Sequence, residues 1–160
     1  MNSESAAPID FYEYSSDNAL NPPQWSPASS GTAIVDRIDS LHLVTWNIWF
    51  DKLEQDIRYS SSLQELLSIP SIDVIAIQEA TSEFFELIQA DTTIQRDWLF
   101  TDYRDANHRI QITENWYGNI FLVRKKWAGN IRGWVKRFPT SSFGRFLVIF
   151  EIFQGDTSVV

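Results

Sequence analysis

Leu41-His42-Leu43-Val44-Thr45-Trp46-Asn47 is the stretch whose reading decides the fold. It reads as a short buried strand that ends on a polar amide. Such a strand carries a side chain to the open edge of a sheet, where ligands of α/β folds bind. Further on, Ile72-Asp73-Val74-Ile75-Ala76-Ile77-Gln78-Glu79 repeats the design and ends on a carboxylate. Between the two, Tyr59, Leu63, Leu66 and Leu67 recur at helical spacing, predicting a helix from about Glu54 to Ser68 that Pro70 ends. Two strands finishing on Asn47 and Glu79 could set an amide and a carboxylate side by side. Both are hard oxygen ligands suited to magnesium. Trp46 is expected in the core.

Composition narrows the class. The chain has 160 residues, 44% of them hydrophobic, with seven tryptophans, enough for one domain with a real core. It has no cysteine, which excludes disulfides and thiolate metal sites. Met1-Asn2-Ser3-Glu4-Ser5 lacks the basic and apolar regions of a signal peptide, and the apolar run Phe146 to Phe150 is too short to cross a bilayer. The expectation is a soluble intracellular protein, nuclear or cytoplasmic, of open oligomeric state. Net charge is −8, which by itself argues against a general nucleic-acid binder. The charge is uneven, however: residues 1–103 hold 4 basic and 17 acidic side chains, and 104–145 hold 9 and 2. Aromatic residues interleave with that basic window, including Trp116, Tyr117, Trp127 and Trp134. The mixture suits phosphate neutralisation with base stacking; strand faces with a buried aromatic side fit it equally.

Residues 1–33, broken by Asn21-Pro22-Pro23 and Ser26-Pro27, hold no period and read as a flexible lead-in to a domain over 34–160. Phe11, Tyr12, Tyr14 and Trp25 point to part of that lead-in lying along the domain surface. The strand over 73–78 is apolar on both faces and belongs at the centre of a sheet. Thr81 or Ser82 caps a second helix, with Phe84, Leu87 and Ile88 inward. A turn of helix is expected around Ile94–Trp98. Strands follow at 118–124, 131–138 and 144–153. The last of these looks the most buried and is expected as a poorly covered edge, because the helices cover only one sheet face.

Thr45-Trp46-Asn47-Ile48, Ile77-Gln78-Glu79, Tyr117-Gly118-Asn119 and Phe138-Pro139-x-Ser141-x-x-Gly144-Arg145 occur in the order of the endonuclease/exonuclease/phosphatase family. The chain resembles most the tyrosyl-DNA phosphodiesterase type two branch and its fungal relatives, over roughly residues 41–153. The resemblance implies the N-terminal half of a four-layer α/β sandwich and metal-assisted cleavage of a phosphodiester or phosphate ester, the substrate standing open between nucleic acid (DNA or RNA), phosphopeptide-linked ends, nucleotides and inositol phosphates. It makes Glu79 the ligand of Mg2+, with Mn2+ as a substitute, and gives Asn47 the metal-bound water or a phosphate oxygen. It sets Tyr117 and Asn119 in the phosphate pocket, and Arg58 and Arg145 behind the metal ligands or on the substrate backbone. Read alone, each has a plainer role: Asn47 as a strand-ending turn residue, Glu79 as a helix-dipole partner, Arg58 as a solvated helix side chain, Arg145 as an ion-pair member.

The chain departs from the family in lacking its Gly-Asp-x-Asn and Ser-Asp-His motifs, which supply the remaining metal contacts and the acid/base dyad. Gly155-Asp156-Thr157-Ser158 lacks the Asn, and neither His42 nor His108 has an Asp partner in sequence. Two expectations follow: an N-terminal piece of a magnesium-dependent phosphodiesterase, inactive alone, or a catalytically dead half-domain serving as a binding module.

Overall fold

The computed structural model describes residues 7–15, 24–28, 39–101, 110–112, 115–137, 146–154 and 157–159. The chain is a mixed α/β protein. Its larger sheet is built from β2 (Phe11–Ser15), β3 (Gln24–Pro27), β4 (Leu43–Asn47), β5 (Val74–Thr81), β6 (Trp98–Thr101), β7 (Ile110–Ile112) and β8 (Asn115–Arg124). Their order is β3-β2-β6-β8-β5-β4, with β7 paired to β8 beside that path. β4 and β5 run parallel, joined by α1 (Gln55–Ser68) as the crossover, and the other pairs are antiparallel. The smaller sheet is antiparallel: β1 (Ala7–Pro8), β9 (Ile131–Arg137), β10 (Phe146–Gln154) and β11 (Thr157–Val159) in the order β1-β9-β10-β11.

Alternation along the central strands explains the layering. Ile75 and Ile77 on β5, with Ile120 and Leu122 on β8 and Trp98 and Phe100 on β6, face α1, α2 (Ser82–Ala90) and α3 (Thr92–Asp97). Their alternates Val74, Val123 and Leu99 face the small sheet, where Ile152 and Trp127 complete a second core. Helices therefore cover one face of the large sheet, and the small sheet covers the other. Thr81 caps α2 by accepting the Phe84 N–H, and Asp91 caps α3 by accepting from Thr93 and Ile94.

Several expectations change. The stretch 7–15 and 24–28 is not a flexible lead-in: it forms strands that join both sheets, and Phe11 is in the second core. Ile9 donates its N–H to Gly133 O at 3.0 Å, and a Cβ at Gly133 would overlap the Ile9 side chain and stand 3.2 Å from the Phe11 ring. Gly133 is thus what lets the N-terminal segment lie against β9. The strand expected as a poorly covered edge is interior to the small sheet, between β9 and β11, and its Ile152 is buried. Only its outward face is open, with Leu147 45% exposed. Trp46, expected in the core, is 43% exposed because β4 ends the sheet. No described helix is long and apolar enough to cross a membrane.

Candidate functional site

Asn47 is the last residue of β4, registered with Gln78, so Glu79 lies one residue further along the neighbouring strand. The β5–β8 ladder breaks here. Ile77 pairs Ile120 and Ala80 pairs Gly118, leaving Gln78 and Glu79 opposite Asn119 alone. This is a β-bulge, and the extra residue re-aims a side chain at a strand end. Glu79 takes the strain of it with φ 60, a left-handed conformation that costs a non-glycine residue roughly 1–2 kcal/mol. The bulge brings Asn47, Glu79 and Asn119 onto three adjacent strands at one sheet end.

The loop after β4 closes over that end. Trp49, also left-handed at φ 57, donates its N–H to Asn47 Oδ1 at 2.8 Å, an Asx turn. Ile48 N–H bonds Gln78 O at 3.2 Å, and Phe50 N–H reaches Glu79 Oε2 at 3.3 Å. The Phe50 ring stacks on Tyr117, with centroids 4.8 Å apart and planes 7° from parallel. Arg58 holds the loop from below. Its Nε donates to Leu53 O at 2.9 Å, Nη1 to Ile48 O at 2.7 Å and Trp49 O at 2.9 Å, and Nη2 to Asp51 O. The guanidinium also lies 4.7 Å from the centre of the Trp49 ring. Its donors are turned to the loop carbonyls, so Arg58 acts here by positioning the residues around Asn47 and Glu79.

Among the sequence-derived candidates, Asn47, Glu79, Tyr117 and Asn119 gather at this end, and Arg58 supports them from α1. Arg145 and His108 lie outside the described residues. His42 is at the opposite end of β4, where its backbone N–H bonds Asp73 Oδ2 at 3.0 Å. Phe50 and Gln78 were missed: Phe50 through its N–H and its ring, Gln78 as the register partner of Asn47. The only sequence signal for Phe50 was its place in the short loop directly after the strand.

The donor set is small. Among the described residues no group of three or more His, Cys, Asp or Glu side chains is placed to hold a metal ion. Glu79 accepts one long hydrogen bond and Asn47 Oδ1 one short one, so each retains lone pairs. One carboxylate and one amide fit magnesium, which keeps several waters and commonly takes one or two carboxylates beside substrate phosphates. The basic aromatic window is divided: the Trp127 ring is in the inter-sheet core, and Arg124 lies 4.1 Å over the Trp98 ring. No family model, curated protein or solved structure matches the chain.

Proposed function

We propose that this chain carries the metal-binding corner of a magnesium-dependent phosphodiesterase of the endonuclease/exonuclease/phosphatase kind, as the N-terminal part of a four-layer sandwich. The observation that carries the reading is Glu79: a carboxylate in a left-handed conformation, on a bulge, at the carboxyl ends of two parallel strands. Strained residues concentrate at functional sites, because only surrounding structure that over-determines them keeps them in place. Glu79 and Asn47 would hold the ion, which when bound supplies polarisation of a phosphoryl oxygen and offsets developing charge. Asn119 beside the bulge and Tyr117 behind Phe50 orient the phosphate. Arg58 keeps the loop, and hence the Asn47 and Phe50 contacts, in place.

Two further observations support the incomplete-site form of the reading. β4 pairs only with β5, so among the described residues the strand that ends on Asn47 keeps one edge open to a further strand. The one described histidine, His42, is at the far end of that strand, so among the described residues no histidine stands beside Glu79. That second observation equally favours a catalytically inert binding module. An assay separates them. Residues 1–160 should show no magnesium-dependent hydrolysis of a nitrophenyl phosphodiester, single-stranded DNA or RNA. A protein completed with a C-terminal half bearing the Asp and His motifs should turn over and lose activity on Glu79→Ala. Failure of the completed protein to turn over favours the binding module. Turnover by residues 1–160 that Glu79→Ala abolishes would overturn the incomplete site.

A further inference from the structure

At the opposite end of β5, about 20 Å from Glu79 at strand rise, lies a cleft of about 640 Å³. Arg96, Arg124, Lys125 and Lys126 converge on it with two carboxylates, Asp73 and Asp97. Four cations against two anions leave a formal +2 in a chain whose net charge is −8.

Both carboxylates are already occupied. Asp73 is buried, and its oxygens accept from His42 N–H at 3.0 Å, Trp127 Nε1 at 3.1 Å and Lys126 Nζ at 2.5 Å. Asp97 accepts a bidentate pair from Arg96, 2.8 Å to each oxygen, and a 3.5 Å contact from Arg124. The Arg96 hydrogen bond chiefly holds the Asp97 carboxyl below the usual aspartate range, so its negative charge is present at neutral pH. Two of the cations are fixed in place. Arg124 donates Nε to Ile72 O at 3.2 Å and packs on Trp98, while Lys125 donates to Gln95 O at 3.0 Å and Tyr14 O at 3.4 Å. Yet Arg96 Nη1, Arg124 Nη2 and two protons of the Lys126 ammonium have no acceptor among the described residues. Charged donors with surplus positive charge in a concave site favour a compact anion.

We infer that this cleft binds the dianionic phosphate group of a phosphomonoester, whose charge matches the +2 of the cleft and whose three terminal oxygens can accept from its spare donors. A diester, with one charge and two free oxygens, is the poorer fit. The inference stands independently of the Glu79 site.

The test is titration of the 160-residue protein with glycerol phosphate and, separately, dimethyl phosphate at constant ionic strength, followed by amide NMR shifts. Saturable shifts at residues 96, 97 and 124–126 with the monoester, and at least roughly tenfold weaker binding of the diester, are expected. The double variant R96Q/K126Q changes two exposed side chains and should lose monoester affinity by roughly tenfold or more. R132Q/K136Q, with the same charge change on the outer face of the small sheet, should keep it. Overturning results are no saturable shift at the cleft, equal loss in both double variants, or tighter binding of the diester.

Discussion

Glu79 combines two demands that separate on substitution. Its left-handed backbone favours glycine, whereas its carboxylate is what the proposed metal needs. Glu79→Gly should therefore be more stable than Glu79→Ala by about 1 kcal/mol, read from urea midpoints, because glycine adopts φ 60 at no steric cost. Equal stability of the two variants would remove the strain argument. Asp73 is the contrasting carboxylate. Burial on its own would raise its pKa, but the Lys126 hydrogen bond, the His42 N–H, the Trp127 indole and the Lys126 charge outweigh burial and lower it. A depressed folded pKa means that the stabilisation is complete above the unfolded value and is lost as pH falls through the folded one. Stability should thus fall on acidification below about pH 4, and less so in Asp73→Asn. Asp73→Ala should cost about 2 kcal/mol at pH 7, chiefly by leaving the buried Trp127 indole N–H unpaired.

At the scale of elements, one helix residue bonds four carbonyls of the loop over 48–53. Arg58→Ala removes the donors to four carbonyls and should cost about 2 kcal/mol. Amide exchange at residues 48–54 should accelerate more than in α2, and a uniform change across the chain would contradict the clamp. The central elements were legible in sequence: the helix over 55–68, the twice-covered strand at β5 and the Thr81 cap are written in local periodicity and capping chemistry. The bulge was not. Val-Ile-Ala-Ile-Gln-Glu reads the same with or without an extra residue, because only pairing with β8 creates it. The N-terminal strands were missed for a related reason. They are short and flanked by Pro and Ser, with no period long enough to read, and their place is set by ladders to β6 and β9. β6 was hidden because all four of its residues are buried, leaving no alternation to read.

Across the whole molecule, the small sheet provides the second covering layer that the helices could not. Gly133→Val should strain the junction between its β9 and the N-terminal segment, lowering stability by about 1–3 kcal/mol. Exposed apolar surface instead runs along β4 at Leu43 and Trp46 and reaches the candidate site at Trp49, Leu53 and Ile57 on the loop and α1. That open edge predicts concentration-dependent self-association, reduced by Leu43→Lys. A strictly monomeric protein over a wide concentration range would contradict it. In the proposed reading, Asn47 and Glu79 hold a divalent ion. Manganese, added as a paramagnetic stand-in for magnesium, should broaden the amide NMR signals of residues 47–50, 78–80 and 119 first, compete with magnesium, and lose this effect in Glu79→Ala. Broadening centred on Asp73 and Asp97, or broadening that persists unchanged in Glu79→Ala, would contradict the account.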